Sequence, residues 1–309
     1  MSTKRATLGA TGGLVRARRG PGRRSAVGAA LVLPAATLIA VIFVAPMVLS
    51  FVMSMYDWPL LGERVFTGVA NYVDLFTDPA FGKAMGFTGL FAVVVVPLTL
   101  VIGLALALLV QRKRRGVGAI RTAIFAPVAI GYAAASYMFL ALTNPSTGLF
   151  GKAMTDVGIT ERPPNWLLSP TSAMILVVVV TLWKTVGFAM VALMTGLQAI
   201  DVSIEDAARV DGAGWWRTLV RIKLALMKNS IAFATTFTAI GTFLAFDQLF
   251  ILTGGAPNNS TVTAVFKIYN TAFVQRDLGY AAAMSMVFLV VLLMVTGAQL
   301  RLLRKGDYR

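Results

Sequence analysis

Residues 203–228 read SIEDAARVDGAGWWRTLVRIKLALMK, a polar and amphipathic stretch set between two long apolar runs, 172–197 and 230–252. Ser203 suits a helix N-cap and Asp206, three residues on, suits a capping-box acid, while Glu205 and Asp206 both fit the positive end of a helix dipole. A short helix is predicted here. It carries Ala207 and Ala208, small enough for close approach, and stops at Gly212-Ala213-Gly214, where glycine accepts the left-handed conformation of a helix end. The next segment places Trp215, Leu219, Ile222 and Leu226 on one face and Arg217, Arg221 and Lys228 on the other, the layout of a helix lying at a lipid surface. Short helix, glycine elbow and interfacial helix make a rigid lever. An ordinary inner loop between spans fits the same physics, and a helix-turn-helix DNA reader is argued against by apolar runs only a few residues away.

Working outward, 57% hydrophobic residues and a mean hydropathy of +0.77 over 309 residues describe a chain whose solvent is partly lipid. Six runs are long enough to cross a hydrocarbon core of roughly 30 Å, which takes about 20 helical residues: 29–53, 84–110, 122–142, 172–197, 230–252 and 281–300. None alternates as a barrel strand does, and lipid-facing backbone must bond to itself, so helices are expected. The fold class is therefore an all-α integral membrane protein with six transmembrane helices.

A net charge of +15 raises the question of nucleic acid, and the distribution of the charge answers it. Basic residues crowd alternate connections: Lys4 to Arg24 in the N-terminal tail, Arg112 to Arg115 with Arg121, then Arg209, Arg217, Arg221, Lys223 and Lys228, and finally Arg301 to Arg309. The intervening connections hold only Arg64, Lys83, Lys152, Arg162, Lys267 and Arg276. Such alternation is what insertion into a membrane requires; it places both termini in the cytoplasm and argues against DNA or RNA as a partner.

The first apolar run follows a basic tail, yet it exceeds the roughly 7 to 15 residues of a cleavable apolar region and reads as a retained signal anchor. Cysteine and histidine are both absent. Thiolate chemistry, Ser/His/Asp catalysis and the commonest metal ligand fall away together, and no residue set points to a metal, a cofactor or a catalytic site. Residues 1–25 form a basic tail expected to be disordered, 26–302 one membrane domain with a cytoplasmic loop at 198–229, and 303–309 a short cytoplasmic tail. The first external connection carries Asp57, Trp58, Tyr72, Asp74, Phe76 and Phe81, a surface on which something outside can rest; anchoring aromatics at the membrane interface read equally well.

The order and spacing of many short signatures resemble the carbohydrate-type permeases of binding-protein-dependent ABC importers, the maltose and glycerol-3-phosphate permease group, in their first-subunit form. They run from Leu33-Pro34 and Pro46, through Ser54 to Trp58, Asn71-Tyr72, Asp78-Pro79, Arg121-Thr122, Pro127, Asn144-Pro145, Gly148, Trp166-Leu167, Trp183-Lys184 and Gly187-Phe188. Leu252 to Gly255 with Pro257 and Thr261, Ile268-Tyr269, Ala272-Phe273 and Leu278 to Ala282 complete them. In the central stretch, Glu205, Asp206, Ala207, Ala208, Asp211, Gly212, Ala213, Ile222 and Leu224 resemble the "EAA" loop on which the ATPase docks. The resemblance implies a six-span permease in the cytoplasmic membrane, paired with a second homologous permease, two ATP-binding cassette subunits and an extracytoplasmic solute-binding protein. Three positions depart from the pattern: Asp206 stands for the leading glutamate, Ala225 for the proline after the Ile-x-Leu pair, and Asp201 for the proline before the loop. Loss of the prolines is expected to loosen the helix boundaries.

Energy has to come from a partner. Gly82-Lys83 and Gly151-Lys152 are each followed by alanine, so neither is a phosphate-cradling loop with its metal-binding hydroxyl. The competing class, an ion-coupled secondary transporter, needs ionisable groups at membrane depth, and only Lys184 and Asp247 qualify. The cost of a lone charge in hydrocarbon predicts that the two pair. The expected cargo is a mono-, di- or oligosaccharide, with glycerol-3-phosphate or a glycerophosphodiester as the alternative. Tyr132, Tyr137, Thr236, Thr238 and Thr242 suit a sugar path and helix packing alike.

Overall fold

The computed structural model describes residues 31–111 and 115–304, with side chains through residue 301. The basic tail, the first residues of the first apolar run, Arg112 to Arg114 and the C-terminal residues from 305 lie outside the described residues. Packing divides the chain into Met1–Leu49 and Ser50–Arg309. In the first unit the described residues belong to α1 (Leu31–Met53), an apolar helix that widens into a π turn over Ala40–Val44. Pro46 accounts for the widening: a proline ring collides with the carbonyl four residues back, here that of Ile42, and a wider turn gives it room.

The second unit opens with a small antiparallel hairpin, β1 (Tyr56–Asp57) and β2 (Val65–Phe66), in which Tyr56 faces Phe66. Helices follow in the order α2 (Ala70–Thr77), α3 (Pro79–Val110), α4 (Val117–Ala129), α5 (Tyr132–Leu142), α6 (Leu149–Asp156) and α7 (Pro170–Gln198). After α7 come α8 (Val202–Val210), α9 (residues 215–226), α10 (Lys228–Phe243), α11 (Asp247–Leu252), α12 (Ala264–Tyr269) and α13 (Leu278–Arg304). The two longest described helices start alike. Asp78 caps α3 through the Ala80 N–H at 2.7 Å and Ser169 caps α7 through the Ser172 N–H at 3.2 Å, each with proline as the first helical residue.

α3 and α7 form the spine of this unit. Gly103 lets them touch, since a Cβ there would lie 2.9 Å from that of Ala189, and Gly187 lets α4 approach α7 so closely that a Cβ would fall on the Ile124 carbonyl oxygen. Small residues at such crossings are how helices associate where lipid offers no hydrophobic gain. Phe91, Val95, Val177, Val180 and Leu249 fill one half of the core; Val110, Met190, Leu193 and Met227 fill the other.

Of the six apolar runs, four are helices long and apolar enough to cross a membrane: Leu31–Met53, Pro79–Val110, Pro170–Gln198 and Leu278–Arg301. The run 122–142 is broken. α4 and α5 meet at 100°, because Ile130 and Gly131 adopt extended backbone, and count as a fifth span only if the bent pair is one crossing. The run 230–252 also divides, at residues 244–246, into α10 and α11. The Thr242 hydroxyl donates to the Thr238 carbonyl at 2.8 Å in the last turn before that break.

Candidate coupling loop and intramembrane lysine

The stretch between α7 and α10 is a capped helix, an elbow and a second helix. Its N-cap is Asp201, whose carboxylate accepts the Ser203 N–H at 2.9 Å, so Ser203 and Asp206 do not form the expected capping box. That bond from the Ser203 backbone holds the Asp201 carboxyl below the usual carboxylate range. The helix boundary that loss of proline was expected to loosen is thus fixed by an aspartate in the proline's place. Asp206 instead pairs with Arg209 on the exposed face, at 3.0 Å.

The elbow matches the expectation. Gly212 has φ +71°, its N–H bonds to the Arg209 carbonyl at 3.0 Å, and the Ala213 N–H returns to the Ala208 carbonyl at 2.9 Å. These two bonds are the Schellman closure of a helix end. Ala208 is buried beneath it, whereas Ala207 and Asp211 remain exposed. Across the elbow, Glu205 reaches Lys223 of α9 at 2.7 Å, and both side chains are partly shielded from water. Clefts of about 470 and 190 Å³ flank this ion pair and share Gln111 at the end of α3.

The face expected on α9 is shifted. Leu219 is buried and Ile222 and Leu224 are half-buried, but Trp215 and Leu226 are exposed, and Lys223 turns inward to Glu205. Residues 218–223 form a π turn, whose extra residue per turn rotates the stripe away from a 3.6-residue period.

Lys184 is buried on α7, yet it does not pair with Asp247; the ion pairs among the described residues are Arg209–Asp206 and Glu205–Lys223. Its Nζ donates to the carbonyls of Val128 at 3.1 Å and Pro127 at 3.3 Å, and it lies 4.7 Å from the centre of the Tyr132 ring. The Pro127 carbonyl also accepts the Ile130 N–H at 3.2 Å, and both carbonyls lie in the last turn of α4, where a cation at a helix C-terminus is favourable. Arg121 does the same for α3, with its guanidinium on the Val110 and Gln111 carbonyls. Asp247 sits exposed in the first turn of α11, where a carboxylate suits the helix dipole. Of the residues suited to a sugar path, Thr238 and Thr242 are buried, Tyr137 is exposed, and the buried Thr236 hydroxyl has no partner among the described residues.

This geometry lies within a stretch, residues 99–305, that matches the family model described as "Binding-protein-dependent transport system inner membrane component". The chain belongs to that family. It is 33% identical over 272 residues to the lactose transport system permease protein LacF of Rhizobium radiobacter, covering 87% of this chain and 91% of the relative. The sn-glycerol-3-phosphate transport system permease protein UgpA of Agrobacterium fabrum is 32% identical over 241 residues, 78% of this chain and 81% of the relative. A bacterial ABC transporter involved in the import of the acidic polysaccharide alginate superposes with a TM-score of 0.79 at 19% identity, covering 93% of this chain and 97% of that one. That transporter has also been solved with an alginate pentasaccharide-bound periplasmic protein. The chain is accordingly a multi-pass membrane protein with the ABC importer permease fold.

Two residues of the family member's loop escaped sequence reasoning. Asp201 is a capping residue type two positions ahead of Ser203, and that chemistry is the signal that could have found it. Lys223 offered no signal, because only the π turn brings it under Glu205.

Proposed function

We propose that the chain is one of two permease subunits of an ABC importer, crossing the cytoplasmic membrane six times with both termini inside, and that it passes a sugar inward when two partner ATPases close. The broken pairs α4–α5 and α10–α11 are the two crossings that complete the six. The observation that carries this reading is the loop itself: a capped short helix, a glycine elbow and a second helix, tied together by Glu205 and Lys223 and set between two core helices. An element that is rigid within itself and joined to α7 and α10 can transmit the ATPases' motion to the spans. The residues assigned to that contact are Glu205, Asp206, Ala207, Ala208, Asp211, Gly212, Ala213, Ile222 and Leu224. The solute arrives on an extracytoplasmic binding protein. Similarity to LacF favours a sugar, and similarity to UgpA keeps glycerol-3-phosphate as the second reading.

The test is reconstitution. The chain alone in lipid vesicles is expected neither to hydrolyse ATP nor to concentrate solute on a proton or sodium gradient, whereas addition of its partner permease, ATPases and binding protein is expected to give ATP-driven uptake. Gradient-driven uptake by the lone chain would overturn the reading in favour of a secondary transporter. Because native cysteine is absent, single cysteines near Leu60 and Thr160 are expected to label with an impermeant maleimide from outside, and cysteines near Arg115 and Arg209 only after permeabilisation.

A further inference from the structure

The α3 end farthest from the loop holds a basin of about 350 Å³ between the first turns of α3 and the connection that follows α11. From Lys83 to Leu108, which lines the cleft beside Glu205, the α3 axis runs roughly 38 Å at 1.5 Å per residue. The basin's polar walls are Lys83, Lys267, Asn258, Asn259, Asn270 and Gln275, and no carboxylate lines it. Lys83 stands exposed at the rim and Lys267 half-buried on α12, and neither forms an ion pair among the described residues. The nearest acid in sequence, Asp78, is committed elsewhere: one oxygen takes the Ala80 N–H and the other the Tyr280 hydroxyl.

Two ammonium groups and four amides form a wall rich in donors, since lysine offers three N–H groups and no acceptor. Two cations that line one basin with no carboxylate beside them give it a positive potential, and an incoming carboxylate supplies the complementary charge. A neutral sugar hydroxyl can satisfy the amides and leaves the charges uncompensated. We propose that this basin receives an acidic side chain of the solute-binding protein, whose carboxylate sits between Lys83 and Lys267 with the asparagines as hydrogen-bond partners. The inference rests on the reading of an extracytoplasmic binding-protein partner, and it adds where that partner is gripped and by what chemistry. Charge complementarity selects the occupant: the basin presents only cations and amides, and it opens at the end that the charge distribution places outside.

The test uses the assembled transporter in nanodiscs and the solute-binding protein that copurifies with it. Lys83→Gln with Lys267→Gln is expected to weaken binding-protein affinity by roughly tenfold or more and to flatten its dependence on salt, as loss of complementary charge does. Lys83→Arg with Lys267→Arg is expected to restore affinity, which separates charge from folding. Unchanged affinity and salt dependence in the glutamine pair would overturn the inference while leaving the importer reading intact. Failure of the wild-type transporter to bind any such protein would overturn both. Inorganic phosphate and glycerol 3-phosphate, titrated without the binding protein, supply the remaining arm: if they raise the melting temperature of the wild type but not of the glutamine pair, a free anion is the occupant and the inference falls.

Discussion

At the end of the bundle where α3 begins, side-chain and backbone hydrogen bonds tie the hairpin region to α2 and to the start of α13. Asn71 donates to the Ser54 and Tyr56 carbonyls, both at 2.9 Å, the Ser54 and Tyr72 hydroxyls meet at 2.6 Å, and Leu278 N–H returns to Trp58 at 2.9 Å. At the other end, α8 is held by its own cap, its own helix closure, a pair between Asp206 and Arg209 within the helix, and a single ion pair to α9. The first arrangement ties the start of the described second unit to its last helix, so nothing there moves without breaking several bonds. The second keeps α8 rigid within itself while leaving it few ties to the spans. That is the mechanical difference expected between a fixed frame and an element that takes up a push from outside the chain.

The frame is where the largest mutational effect is expected. A Cβ on Gly279 would fall on the Tyr56 carbonyl oxygen, which is backbone and cannot swing aside. Gly279→Val is expected to cost about 3 kcal/mol or more, the upper range for overpacking, and to remove monodisperse protein from size-exclusion chromatography. Wild-type yield and melting temperature would show that this end is looser than its hydrogen bonds imply.

Next in size is the buried lysine. Lys184→Met takes the donor from the Val128 carbonyl and leaves that of Pro127 with the Ile130 N–H, and an orphaned buried acceptor costs about 1–3 kcal/mol. Because Lys184 does not pair with Asp247, adding Asp247→Asn is expected not to restore the melting temperature. Rescue of the single mutant by the second change would mean the two charges do communicate.

In the loop the effects are expected to be smaller and confined to coupling. Open space surrounds Gly212, so a side chain there meets only its own backbone at φ +71°. A left-handed L-residue costs roughly 1–2 kcal/mol; Gly212→Val is expected to insert normally and lose ATPase copurification, and Gly212→Asn to keep most of it. Normal ATPase recovery with the valine would remove the elbow from the proposed contact. The Glu205–Lys223 pair is partly exposed, and pairs of this kind contribute about 1 kcal/mol or less. Glu205→Lys is expected to reduce copurification and the exchange Glu205→Lys with Lys223→Glu to recover only part of it, since Glu205 is assigned both to the pair and to the ATPase contact; full recovery by the exchange would remove Glu205 from that contact.

What was legible beforehand follows the same division. Gly212 announces its backbone role because few residue types accept a left-handed turn, whereas Asp78-Pro79 entered only as a signature of resemblance and the cap at Ser169-Pro170 was not anticipated. Apolarity located the membrane segments but not their continuity, since hydropathy does not register two extended residues at Ile130-Gly131 or the interruption at residues 244–246. The partner of Lys184 was missed for a related reason: a sequence shows which residues carry acids, and here the acceptors are backbone carbonyls, which every residue owns, in the last turn of α4.

The smallest effect expected isolates the cap that holds α8. The Asp201 carboxyl has a folded pKa below its ordinary value of 3.8, because its charged form accepts the Ser203 N–H. A depressed acid stabilises the fold above its unfolded pKa, and the contribution disappears as pH falls through the lower folded value. The cap is therefore expected to be intact at neutral pH and to weaken only below the usual aspartate range. Asparagine caps nearly as well and does not titrate, so Asp201→Asn is the matched control. A nitroxide on Ala207→Cys, an exposed position in a chain without other cysteines, reports the order of α8. Its mobility is expected to rise, as pH falls below the usual aspartate range, by more with Asp201 than with asparagine. Identical curves would mean that the elbow and the Glu205–Lys223 pair hold the helix without help from its first turn.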